Sequence, residues 1–218
     1  MARPAPLYDH PIDPPNNPAT EQDLYDLPDD VTGEILDGEL IVHPRPDPPH
    51  TQAASGLGGL LISSFHYGFG GGPGGWIILV EPKIRLGNDL LVPDLAGWRR
   101  ERFVPIRKGP YTVAPDWICE LLSPSTARTD RVRKLPIYAR EKVSYAWILD
   151  PALRTLEALR LQDGKWLILG VFQKADKVRV EPFEAFELDL ALLWENLPVD
   201  PDEAEREKED ERWTGEEA

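Results

Sequence analysis

Cysteine occurs once in the 218 residues, at Cys119, so no internal disulfide can form. Its neighbours Trp117, Ile118, Leu121 and Leu122 are apolar, which suits a small buried side chain better than a nucleophile, because burial without a basic neighbour raises a thiol pKa. No apolar run reaches the roughly 18 residues needed to span a bilayer, and no basic-apolar signal segment opens the chain. The expectation is a soluble, cytoplasmic protein with no membrane partner. No internal repeat is present, and the glycine run "HYGFGGGPGGW" lacks the Gly-Lys-Ser or Gly-Lys-Thr and the following helix that a phosphate-cradling loop requires. That run reads as a flexible turn leading into a strand, Trp76 to Val80.

The formal net charge is −14, which on its own disfavours a nucleic-acid partner, but the charge is unevenly placed. Residues 1–33 carry seven acids against Arg3, and residues 200–218 carry ten acids against Arg206, Lys208 and Arg212. The stretch between them is nearly neutral, and from Arg99 to Lys142 it is basic, with eleven Lys or Arg against five acids. A phosphate backbone is tolerable there, and an ordinary solvated surface is the alternative. A chain of this length suits one cored domain, since domains average about 150 residues. We expect a flexible Pro/Asp-rich arm over 1–20, a single domain over 21–198, and an acidic tail over 199–218.

"GEILDGELIVHP" alternates apolar and polar residues about Asp37-Gly38, a hairpin signature. Apolar residues recur at helical spacing from His50 to Phe65. Two strands joined by Gly87-Asn88-Asp89 follow over "WIILVEPKIRLGNDLLVPDLAGW", then a strand at "DWICELL". A helical pattern from Thr129 to Lys142 is interrupted by Pro136, which should kink or divide it. "SYAWILD" is another strand, and a last hairpin turns at Asp163-Gly164. This order predicts an α/β fold, a mixed β-sheet flanked by helices with extra β-hairpins.

Three acids sit in strand contexts that ought to be apolar: Glu81 in "ILVEPKI", Asp94 in "LLVPDLAGW" and Glu120 in "WICELL". An antiparallel pair closed at Gly87-Asn88-Asp89 puts Glu81 nearly opposite Asp94. Like charges facing each other repel unless a cation lies between them, and Mg²⁺ takes one or two carboxylates plus water. Glu120 on the next strand would add a third oxygen. Such a metal lowers the pKa of bound water and stabilises charge on a transferring phosphate. Structural uses stay open: a buried salt bridge from Glu120 to Arg131 or Lys134, backbone hydrogen bonds to Asp94, and a capping role for His50. Ser123, Ser125 and Thr126 form a turn and cap with no paired base, which excludes a serine hydrolase.

Pro93-Asp94, with an acid in a strand about 25 residues later, resembles the PD-(D/E)xK nuclease superfamily. The longer string is more specific: "EILDGEL", His50, "VPDLAG", "ICELLSPST", Asp130, Lys134, Tyr138 and "YAWILDP". Over about residues 30 to 170 it is similar to the bacterial family of restriction-endonuclease-like proteins within that superfamily. The superfamily lysine stands two residues after the second acid, and here that position is Leu122, which cannot do the work. The resembling family supplies the lysine from the following helix, where Lys134 stands, with Tyr138 one turn on.

The resemblance implies a restriction-endonuclease-like fold and a metal-dependent endonuclease acting on phosphodiester bonds, with DNA as substrate and Mg²⁺ or Mn²⁺ as cofactor. Asp94 and Glu120 would bind the metal with Glu81, Lys134 would stabilise charge, and Glu34, His50 and Tyr138 would assist. Arg99, Arg100, Arg102, Arg128, Arg131 and Arg133 would contact phosphates. Pairing of the extra hairpins would give a homodimer. The competing expectation is a catalytically silent nuclease fold that binds nucleic acid or protein.

Overall fold

The computed structural model describes residues 17–197. Most of the expected arm and all of the expected tail lie outside these residues. The chain runs α1 (Glu21–Tyr25), β1 (Val31–Leu36), β2 (Glu39–Pro44) and α2 (Pro48–Leu61), and α2 continues into a π-helical turn, Ile62–His66. Next come β3 (Trp76–Val80), β4 (Ile84–Leu86), β5 (Asp89–Leu91), β6 (Leu95–Arg99) and β7 (Trp117–Leu121). The helix α3 (Ala127–Thr129), a π-helical turn (Asp130–Lys134) and α4 (Leu135–Arg140) then form one continuous run. The chain closes with β8 (Tyr145–Asp150), β9 (Thr155–Gln162), β10 (Lys165–Gln173), β11 (Lys177–Val178), β12 (Leu188–Asp189) and α5 (Ala191–Trp194).

A six-stranded sheet in the order β10-β9-β8-β7-β6-β3 is antiparallel except for β7 and β8, which run parallel. The helical run α3 to α4 is the crossover between those two strands, as a parallel pair requires. A second sheet has the order β2-β1-β5-β4. Hairpins turn at Asp37-Gly38 and Asp163-Gly164, where positive φ at all four residues suits a tight connection.

The segment from Trp76 to Trp98, expected as two strands, is four strands divided between the two sheets. Its inner hairpin, β4 to β5, joins the four-stranded sheet, and its outer strands, β3 and β6, join the six-stranded one. Pro82 and Pro93 fall at the break, where neither can donate to a ladder. Glu81 takes a left-handed backbone (φ 46°) and donates its N–H to the Asp94 carbonyl at 2.9 Å, so the two acids do end opposite each other. The interruption expected at Pro136 is met by the π-helical turn just before it, which widens the helix where the proline has no N–H to give.

The central strands β6, β7 and β8 of the six-stranded sheet are buried on both faces. On one side α2 and the segment 178–197 cover Trp76, Trp117, Trp147 and Phe183, whose rings meet with centroids 4.9 to 5.5 Å apart. On the other, α4 and the smaller sheet cover Trp98, Ile118, Ala146 and Ile148. Phe183 lies at the centre of the first cluster, although sequence periodicity gave its segment no element. Phe183→Ala should therefore lower unfolding free energy by about 3–5 kcal/mol, measured by urea titration followed by tryptophan fluorescence. A loss of under about 1 kcal/mol would mean that the segment after β10 is not part of the core.

Candidate active site

Strand alternation sends Trp117, Cys119 and Leu121 of β7 toward α2, and Ile118, Glu120 and Leu122 toward the helical run and β1. Glu120 thus enters an apolar layer from a fully buried strand, and three other elements supply its surroundings. Tyr138 of α4 donates its hydroxyl to Glu120 Oε1 at 2.6 Å. Lys134 Nζ, at the end of the π-helical turn, donates to Glu120 Oε2 at 3.2 Å. The same ammonium lies 3.1 Å from Glu34 Oε2 on β1 and 3.1 Å from Asp130 Oδ1, four residues earlier on the helix. Lys134, Glu34, Glu120 and Asp130 are all buried.

One ammonium among three carboxylates sets the electrostatics. Burial would lower the Lys134 pKa, but Glu120, Glu34, Asp130 and Asp94 hold it well above its ordinary value. Burial lifts Glu120 well above the usual carboxylate range; Lys134 draws it down, and Asp130, Asp94 and Glu34 push it back up. Asp130 is raised for the same first reason. For Glu34 the attraction wins. Burial is opposed by the Lys134 ammonium, by His43 and by the Val92 N–H, which donates to Oε1 at 2.7 Å, and the group is held below its ordinary value. Both Glu34 oxygens therefore face donors inside the protein.

Asp94 stands at the entry to β6, in register with Glu120 across the β6–β7 pair. Its Oδ2 accepts the Leu121 N–H at 2.6 Å, and its Oδ1 lies 3.1 Å from His50 Nε2. His50 is set in place by the start of α2, where Pro48 and Pro49 open the helix and Asp47 accepts the His50 N–H at 2.9 Å. Burial opposes a charged His50, but Asp94 more than compensates and raises its pKa. At 16 % side-chain exposure Asp94 is more open than Glu34, Glu120 or Asp130. Cys119, on the other face of β7, has its thiol pushed well up by burial.

A pocket of about 380 Å³ gathers Glu34, His50, Glu81, Asp94, Glu120 and Lys134, six of the residues singled out from the sequence. Tyr138 lies behind Glu120. Asp130, His43 and Arg45 also line it and were not assigned roles from the sequence. Asp130 was findable, since a carboxylate four residues before Lys134 shares its helix face. His43 reaches Glu34 diagonally across the β1–β2 pair, with 3.6 Å between Nε2 and Oε2. Arg45 lies at the exposed rim, donating to the Asp29 carbonyl.

None of the six arginines expected to contact phosphate lines this pocket. Arg102 pairs with Asp116, Arg131 with Glu157 and Arg133 with Glu39. Arg99 and Arg100 stand at the far end of β6, five residues or roughly 17 Å along the strand from Asp94. Arg128, exposed on α3, makes no ion pair among the described residues.

The donor chemistry fits a hard divalent cation at Asp94 and Glu120. Mg²⁺ needs only one or two carboxylates with water, and these two acids stand opposite each other across the β6–β7 pair at the pocket. Among the described residues no three His, Cys, Asp or Glu side chains are arranged to hold a metal ion, so Glu81 lines the pocket without completing a three-ligand centre with the other two acids.

A family model described as Uma2, putative restriction endonuclease, matches residues 21–192. No curated protein matches the chain. Among solved structures it is similar to the crystal structure of a putative nuclease belonging to DUF820 from Anabaena variabilis, with 22% sequence identity, a TM-score of 0.65, and coverage of 82% of this chain and 98% of that one. At that identity the likeness is one of fold.

Removing the central ammonium leaves its carboxylates buried and unpaired, so Lys134→Met should cost about 3–5 kcal/mol at pH 7. The three acids would then hold protons in the folded state that the unfolded chain has already released, so the variant's stability should fall as pH rises from about 4.5, the ordinary glutamate value. Urea titrations at pH 5 and pH 7 measure this. Equal losses at both pH values would place the cost in packing.

Proposed function

Because the chain belongs to the Uma2 family, described as putative restriction endonucleases, we propose that it is a divalent-metal-dependent endonuclease hydrolysing phosphodiester bonds of DNA. The observation that carries this reading is Lys134, buried between Glu34, Glu120 and Asp130 at the wall of the pocket that Asp94 enters. Burying an ammonium among three carboxyl groups costs several kcal/mol before pairing, and a domain already cored on both sheet faces has no packing need for it.

A cation held by Asp94 and Glu120 would supply Lewis acidity and a water of lowered pKa. The protein's own residues supply the rest. Tyr138 fixes the Glu120 rotamer, and His50 and the Leu121 N–H fix that of Asp94. Lys134 presents a charge that cannot be lost near neutral pH, suited to the extra negative charge of a phosphorane-like transition state. The pocket also carries six carboxylates, Glu34, Asp47, Glu81, Asp94, Glu120 and Asp130, against Lys134 and Arg45 as full cations. A phosphodiester would be repelled without added positive charge, so substrate affinity in this pocket should require the metal.

One observation favours the second reading, a catalytically silent binding module: both Glu120 oxygens already accept hydrogen bonds inside the protein. Calorimetric titration with Mg²⁺ and Mn²⁺ on the wild type, Asp94→Ala and Glu120→Ala, each followed by plasmid nicking, separates the two. The nuclease reading expects heat of binding and nicking in the wild type, with nicking reduced on the order of 100-fold or more in each variant. A folded wild type that neither binds metal nor nicks DNA sinks that reading in favour of the binding module.

A further inference from the structure

At the far end of α2 and β3 from this pocket lies a second group of residues whose chemistry matches nucleic acid. The π-helical turn ends at His66, and Gly68, with φ 70°, reverses the chain so that the next aromatic side chain returns over the last. His66 stacks on Tyr67 with centroids 4.5 Å apart and 22° between planes, and Tyr67 stacks on Phe69 at 5.4 Å and 20°. The inner ring is anchored, because His66 Nδ1 lies 3.2 Å from the Ile78 oxygen and 3.3 Å from its nitrogen. Tyr67, between the other two rings, is 61% exposed, and Phe69, at the end of the stack, is 64% exposed, so the free face of the stack is that of Phe69.

Two arginines stand at this end of β6, one bonded to the stack's first residue and one over Trp76. Arg100 Nη2 donates to the His66 carbonyl at 2.6 Å and to the Trp76 carbonyl at 3.2 Å. The Arg99 guanidinium lies over the Trp76 ring, 4.1 Å from its centroid. Neither guanidinium is neutralised by a carboxylate among the described residues, in contrast to Arg102, Arg131 and Arg133. A near-parallel stack that ends in an exposed ring, beside unneutralised guanidinium groups, is complementary to an unpaired base that continues the stack on Phe69 and to its phosphate backbone, whereas the base faces of a duplex are already stacked.

We propose that the His66–Tyr67–Phe69 ring stack with Arg99 and Arg100 is a base-stacking platform for single-stranded DNA, separate from the pocket at Asp94. The choice of DNA rests on the nuclease reading above. The platform lies about 17 Å from the pocket along β3 and β6, so a strand held there does not occupy that site.

The test is fluorescence anisotropy of a labelled oligothymidylate, titrated with the full chain in EDTA across a salt series, with oligouridylate and a duplex of equal length as separate arms. Tyr67→Ala/Phe69→Ala should weaken oligothymidylate binding about tenfold or more and leave duplex binding unchanged. Arg99→Ala/Arg100→Ala should lower the slope of log affinity against log salt by about one to two. Tyr67→Phe, which keeps the ring, should bind as wild type does. The idea is overturned if the wild type does not bind oligothymidylate, or if the ring-deleted variant binds it equally well. Tighter binding to oligouridylate would overturn the assignment to DNA. Glu120→Gln separates this result from the nuclease reading: it should abolish nicking and retain oligonucleotide binding. A wild type that never nicks but binds through the rings would reject the nuclease and leave the platform standing.

Discussion

The ammonium of Lys134 is the contact on which the arrangement depends. It draws Glu34 from the smaller sheet, Glu120 from the centre of the larger one and Asp130 from the crossover helix to a single point, all within 3.2 Å of Nζ. Hydrophobic burial is non-directional and would hold these elements together in many registers, whereas a charge in a buried site tolerates only geometries that pair it. Glu34 passes the constraint on. Its second oxygen holds the Val92 N–H, and Val92 leads through Pro93 to Asp94. The lysine, the strand break and Asp94 are therefore fixed as a unit.

That unit sits where the chain is least regular. Pro82, Pro93 and the left-handed Glu81 end one pair of ladders and begin another, and the π-helical turn carries Asp130 and Lys134. Interrupted ladders and a widened helix leave room between the sheets, and the pocket occupies it. Aliphatic and tryptophan packing on both sides of the six-stranded sheet supplies the rigidity that lets side chains at such a break keep fixed geometry.

Charge is segregated along the same strands. The end of β6 near Asp94 faces a pocket rich in carboxylates, while its other end carries Arg99 and Arg100 beside exposed rings. A polyanion would meet opposite fields at the two ends of one sheet. The near-neutral total over residues 34–199 conceals this separation, because a sum over sequence carries no position.

Much of the fold was legible in the sequence. Alternation about Asp37-Gly38 and Asp163-Gly164 predicts both hairpins, because a period of two and a turn with positive φ are local properties. The apolar run around Glu120 marks a buried strand for the same reason, and a carboxylate inside it signals a partner or a task, since desolvation is costly wherever the strand lies. What the sequence could not determine was which elements share a sheet. Trp76 to Trp98 reads as a single hairpin because each of its strands has a valid local pattern, and the division into two sheets comes from competition for edges, settled by prolines that cannot donate. It likewise named arginines by their abundance in one stretch, while in space three of the six pair with Asp116, Glu157 and Glu39, Arg99 lies over Trp76, Arg100 bonds the His66 carbonyl and none lines the pocket. Local pattern determined the elements and the residue at issue, while the partners of Glu120, the donors around Glu34, and the distance of Arg99 and Arg100 from the pocket were decided by tertiary structure, because Coulomb and hydrogen-bond energies depend on separation in space.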